Sequence, residues 1–309
     1  MAAFYANETT VSTLDDSIVL AYAQSFLIGA GQDQNMDSLA TIEENIGAKS
    51  IQISKYPRMT PVTSSLTETD DPASVALTDS SIVLTPAEYG NVASVTNLVK
   101  LQSGGKAQMA AMQLAGINAG QSQDKLAIAA LDASSNTFII GGTAAGSVAS
   151  TQVASRVFVN TAYNKLSRLN VPTIGGNYVM VAHDDVINDL RADTNAGSWI
   201  SVNQYQNSVE VMNNEIGMFS GFRVVRNNFA TYADQTGTGT VDLYNCYFVG
   251  MNGLGKAVSA PVGLKVTGPF DKLGRIVNIG WYGVFAYSIV DTDAVWVGQC
   301  ASSVGTNAS

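Results

Sequence analysis

Residues 49–88 constrain this chain more than any other stretch. Ile51 and Ile53 alternate with polar residues, Tyr56-Pro57 breaks the run, and Val75, Leu77, Ile82 and Leu84 alternate again. Between the runs lies Thr60 to Pro72, rich in Thr, Ser and acids. Apolar patterning of period two around a polar tip predicts two long strands joined as an extended hairpin. One face of that hairpin is thin in large apolar residues. It has no core of its own to bury and needs a partner surface. Any fold available to this chain must leave an arm outside a single compact core.

Composition agrees. Hydrophobic residues make up 46% of the chain and charged residues only 13%, against about 25% charged in an average soluble domain. So little charge points to large protein–protein interfaces, whose cores are depleted in charge. The net charge is −9 and the 16 Lys and Arg are scattered. That excludes tight wrapping around nucleic acid, which needs clustered cations. Cys246 and Cys300 have no metal-ligand spacing and form no disulfide framework. They read as two small buried hydrophobes in a reducing compartment. The first basic residue is Lys49, and the most apolar early stretch, Ser17 to Ala30, is broken by Gln24 and Ser25. Neither a charged leader nor a membrane span of about 20 residues is expected.

The remaining stretches follow in order. Residues 1–48 hold seven acids and no base. Ile18, Tyr22 and Phe26, flanked by Val19 and Leu27, predict an amphipathic helix ended by Gly29 and Gly31. Such a helix docks on a neighbour, in this chain or another. Residues 106–133 predict a long helix with Ala110, Leu114, Ile117, Ile128 and Leu131 on one face. Gln121 and Lys125 interrupt that face. Gly116 and Gly120 cost about 1 kcal/mol each against Ala in an exposed helix, so a bend or a close backbone contact is expected there. A Gly/Ala/Ser-rich connector, Gly141 to Ser150, leads to a second helix over about 153–169. Tyr178–Val181 reads as a strand, and Gly217 and Gly221 bracket a turn before a strand at Phe222–Arg226. Residues 227–309 read as mostly β, with strands at 241–249, 263–267, 275–286 and 294–297. Trp281, Tyr282, Phe285, Tyr287 and Trp296 supply bulk. The order of parts reads as α+β.

Two motifs resemble chemistry. His183-Asp184-Asp185 holds the only histidine of the chain. A catalytic zinc site takes three protein ligands, and adjacent aspartates in a regular segment do not face one ion. The motif reads instead as a strand ending at His183, with Asp184 capping a helix and Asp185 and Asp189 on its acidic face. Gly250 to Ala257 has the glycine and lysine spacing of a P-loop after an apolar strand. Its last position is Ala257, where magnesium coordination requires Ser or Thr. Pro261 falls too early for a phosphate-binding helix. Lys256 therefore reads as part of a glycine-rich loop. No Gly-x-Ser-x-Gly elbow occurs, and the Thr-rich tip at 60–72 reads as a solvated loop. No catalytic, cofactor-binding or metal residue is assigned, and no enzyme activity is expected.

The 177–226 stretch resembles the major capsid proteins of tailed bacteriophages with the Hong Kong 97-type fold. The resemblance rests on Tyr178–Val181, His183-Asp184-Asp185 and Asp189-Leu190-Arg191 in succession. Glu215-Ile216-Gly217, Phe219, Gly221 and the strand Phe222–Arg226 follow, then Gly274-Arg275, Val277 and Gly280–Gly283. It implies an N-terminal arm at 1–48 and an extended hairpin loop at 49–88. It places a peripheral domain at 89–175 with a spine helix at about 104–134, and an axial domain with returning peripheral strands at 176–309. It further implies assembly as pentamers and hexamers into an icosahedral head enclosing double-stranded DNA, in the host bacterial cytoplasm. The partners implied are other copies of the chain, a scaffolding protein, a portal, a decoration protein and non-specifically contacted DNA, with no membrane. The alternatives are an encapsulin-like compartment of the same fold and a P-loop-like nucleotide-binding enzyme. Some relatives seal the shell with Lys–Asn isopeptide bonds. Lys49 and Lys55 lie in the arm, but no accompanying motif is present.

Overall fold

A computed structural model describes Phe26, residues 36–44 and 49–56, and most of 59–193 and 215–304. Two sheets and a long helix organise it. The first sheet runs in the order β1 (Ala40–Glu44), β11 (Leu254–Thr267), β12 (Ile276–Ile289), β4 (Ala87–Thr96). β11 and β12 form a long antiparallel hairpin, β4 pairs antiparallel along β12, and β1 adds in parallel to β11. The strand at β1 was not foreseen. The stripe at 18–27 lies outside the described residues except Phe26, which is helical and buried against Ala119, Trp281 and Phe285.

The second sheet has seven strands. Its path is β5 (Thr137–Ile139), β13 (Val295–Cys300), β10 (Leu243–Val249), β6 (Tyr178–Ala182), β8 (Phe222–Arg226), β7 (Glu215–Phe219), with β9 (Tyr232–Ala233) also on β10. All five β6 residues are buried. Alternate side chains serve two cores, as the two-residue period of a strand requires. Tyr178, Met180 and Ala182 face α3 (Arg156–Arg168) and α4 (Asp184–Ala192), packing with Phe158, Leu166, Ile187 and Leu190. Val179 and Val181 join the core on α2 (Lys106–Asp132) with Ile128 and Leu131. The sheet is thus a middle layer with helices on both faces. Gly217 and Gly221, at φ 134° and 82°, adopt the positive φ that favours glycine around the β7–β8 turn.

Two expectations need correction. The long helix exists, but Ala110 and Leu114 are exposed, and the buried face is Gln108, Met112, Gly116, Ala119, Gly120, Gln123, Asp124, Ala127, Ile128 and Leu131. This face is small and polar in its middle, so hydrophobicity alone misplaced it. Gly116 and Gly120 lie on the face where α2 crosses β12, which favours the close-contact explanation for them. The hairpin is not made of long strands either. Only β2 (Ile51–Lys55) and β3 (Ser80–Leu84) pair, in antiparallel register, and Val75 and Leu77 lie outside any strand. A strand pair with no third strand or packed face is marginal in water. Pairing accordingly persists only beside the body, where Lys55 Nζ reaches Asp291 Oδ1 at 2.5 Å.

Candidate assembly surface and the buried polar joint

The His183 motif folds into a helix start. His183 is the N-cap of α4, its Nδ1 accepting from the Asp185 backbone N–H at 3.3 Å. This corrects the assignment of the cap to Asp184. Asp184 and Asp185 occupy the first turn, where carboxylates favour the helix dipole. Asp185 accepts from the Tyr244 hydroxyl at 2.8 Å. Asp189 is not on a solvated acidic face. It is only 4% exposed and accepts from the Ser303 backbone N–H at 2.9 Å.

Lys256 sits neither in a loop nor beside a phosphate cradle. It lies in β11 and is 5% exposed. Its Nζ donates to both oxygens of Asp37, at 2.7 and 2.6 Å, and to Gln123 Oε1 at 2.8 Å. The ammonium also stands over the rings of Phe285 and Tyr287, at 5.5 and 5.3 Å. Tyr287 donates its hydroxyl to the same Asp37. Next to Gln123 on α2, Asp124 accepts from the Met36 backbone N–H at 3.1 Å and from Asn227 at 2.9 Å. The chain before β1 is thereby tied to the spine helix and the first sheet. Sequence reasoning missed this joint. The available signals were Lys256 alone in an apolar run and Asp124 on the stripe of Ile128.

Near the end of α2, Asp132 accepts from Tyr247 at 2.6 Å and from Asn245 at 3.0 Å, joining the spine to β10. Burial, with the carboxylate of Asp37, pushes the Tyr287 phenol well above its ordinary value of 10.0. Burial and the bond to Asp132 do the same for Tyr247. The folded state therefore holds these protons more tightly than the unfolded chain. Stability is full below about pH 10 and falls above it, by about 1.4 kcal/mol per pH unit for each phenol. We expect the melting temperature to drop steeply between pH 10 and 11, and Tyr287→Phe to make that drop shallower. A flat melting profile across this window would contradict the linkage.

The cysteines are free and buried on adjacent strands, with sulfurs 3.9 Å apart. Cys246 lies opposite Gly298 and Cys300 opposite Tyr244, so the pair is diagonal. The contact with Cys246, and burial, push the Cys300 thiol up. Among the described residues no group of three or more His, Cys, Asp or Glu could hold a metal ion. Among them, too, no helix is long and apolar enough to cross a membrane.

What the surface does offer is apolar. Tyr56, Met59, Val62, Leu66, Val75, Leu77 and Val83 of the hairpin are all more than half exposed, Val62 at 82%. A second set lies on β4, α1 (Asn97–Gln102) and the start of α2: Val92, Leu98, Leu101, Met109 and Leu114. Exposed large apolar side chains grouped in this way mark interaction surfaces.

No family model matches the sequence, and neither does any curated protein. Solved structures do match. The capsid of Ralstonia phage GP4 superposes at a TM-score of 0.72 with 13% identity, covering 88% of this chain and 92% of that one. This is the Hong Kong 97-type capsid fold. The capsid of Helicobacter pylori bacteriophage KHP30 matches at 0.65 and 11% identity, over 87% of this chain and 92% of that one. A virus-like particle from Pyrococcus furiosus matches at 0.57 and 12% identity, over 91% and 98%. His183 starts a helix and Lys256 ties two layers together.

Proposed function

We propose that this chain is the shell subunit of a tailed-phage head. Copies associate as pentamers and hexamers into an icosahedral shell around double-stranded DNA, and the chain carries out no catalysis. The observation that carries this reading is the hairpin. Its apolar side chains are exposed on a body of capsid fold whose own cores are complete without them. Burying such side chains is worth roughly 25 cal/mol per Å², and a neighbouring copy is the surface that repetition supplies. The negative net charge suits a wall that DNA touches without sticking. We assign the first sheet and α2 to the peripheral domain, 49–88 to the extended loop, and the seven-stranded sheet with α3 and α4 to the axial domain, which moves β5 and α3 out of the peripheral domain expected at 89–175. A scaffolding protein, a portal and a decoration protein are the further partners of this reading.

We favour the phage reading over an encapsulin-like compartment because phage capsids recur among the similar structures. The two differ in content. Particles purified from phage-producing cells are expected to hold nuclease-protected double-stranded DNA of uniform length. Particles filled with a single protein species and no DNA would sink the phage reading and leave the compartment.

A further inference from the structure

The hairpin and the α1–α2 turn leave the first sheet at opposite ends, and the hairpin tip and that turn carry opposite charges. β12 is 14 residues long, roughly 46 Å at about 3.3 Å per residue. The hairpin leaves near its C-terminal end, where Ala87 pairs with Phe285 and Lys55 holds Asp291. At the other end Thr96 pairs with Ile276, and the chain turns through α1 into α2. Gly104 and Gly105, at φ 59° and 83°, make that turn. Between Glu88 and Asp124 the only charged residues are Lys100 and Lys106. Both are exposed, and neither has an ion-pair partner among the described residues. They flank Leu101, which is 74% exposed. The hairpin tip carries Glu68 and Asp71, both exposed, among apolar residues that do not rest on their own chain.

We propose that the acidic hairpin tip of one copy docks on the basic α1–α2 turn of the next. Glu68 and Asp71 face Lys100 and Lys106 there, and Leu66 and Leu77 cover Leu98 and Leu101. This rests on the shell reading and names the surface that receives the hairpin. The two patches differ and sit at opposite ends of the subunit, so the contact is head-to-tail. Contacts of that kind close into rings where the rotation between copies divides a full turn. A charged rim around an apolar centre sets register and the rate of encounter.

Charge reversal tests it on the full chain, with circular dichroism to confirm folding. Lys100→Glu with Lys106→Glu, and separately Glu68→Lys with Asp71→Lys, should each lower the particle yield at 50 mM salt by about tenfold or more. Combining all four should restore it. Near-wild-type yield from either reversed pair, or a four-fold variant no better than the pairs, would overturn the docking while leaving the shell reading intact. Failure of the wild-type chain to form particles at all would remove both.

Discussion

Lys256→Met is expected to lower stability by about 3 kcal/mol and to release the segment ahead of β1. Breaking a buried ion pair by removing one partner costs about 3–5 kcal/mol, because a charge stays behind in a poor solvent. Here the abandoned group is Asp37, whose side chain is 25% exposed, so the lower end of that range applies. Gln123 loses its partner as well, and the cation over Phe285 and Tyr287 disappears. The segment is also held by the Met36–Asp124 bond and by the β1–β11 ladder. Loss of the lysine therefore loosens it without unfolding the body. Cleavage by a glutamate-specific protease at Glu43 and Glu44 should accelerate several-fold, with a lower melting temperature. Adding Asp37→Asn to Lys256→Met should recover part of the loss, since no orphan carboxylate remains. A Lys256→Met chain that melts and resists cleavage like the wild type would show that the pair does not hold the joint.

Phe248→Ala strikes the other core. Phe248 is fully buried in β10, its ring 5.8 Å from Phe138, 5.8 Å from Phe158 and 5.1 Å from Phe222. These rings crowd the strand opposite as well. A Cβ added at Gly298 would stand 2.6 Å from Phe158 and 2.9 Å from Phe248. Truncating a buried Phe to Ala costs about 3–5 kcal/mol, the lost transfer energy plus the cavity. The rings around the gap come from β5, α3 and β8, and rigid aromatics on separate elements collapse poorly. Denaturant midpoint and slope measure the loss. The pattern separates this variant from the first, because cleavage at Glu43 and Glu44 should stay slow below the unfolding transition. A loss under about 1 kcal/mol would mean that the cluster packs more loosely than its ring distances indicate.

The two variants mark what sequence could and could not convey. Strand positions in the second half were legible because β-branched and aromatic residues occur there in runs. Strands at Leu243–Val249 and Ile276–Ile289 lie close to their expected places. The length of the spine helix was legible too, but its buried face was not. That face is built from Gly, Ala, Gln and Asp, and periodicity of large apolar residues cannot see a helix that packs through small ones. Lys256 misled because glycine spacing suggested a loop, whereas Gly255 and Lys256 continue a strand. The glycine is needed because a Cβ there would meet Val290 at 2.4 Å. His183 misled by one position, since an imidazole nitrogen can cap a helix as a carboxylate does. The hairpin was legible as an arm but not in its internal pairing. Its exposed apolar side chains find no cover on their own chain, and pairing extends only over Ile51–Lys55 and Ser80–Leu84.

Imaging shows most directly what covers the hairpin. The purified chain should be examined by electron cryomicroscopy after assembly at several salt concentrations, alone and with any scaffolding protein that co-purifies. The account predicts closed shells with fivefold and sixfold capsomers, in which each hairpin lies on an adjacent subunit and Val62, Leu66, Val75 and Leu77 are covered. Monomers under every condition, or shells whose hairpins stand free of their neighbours, would contradict it.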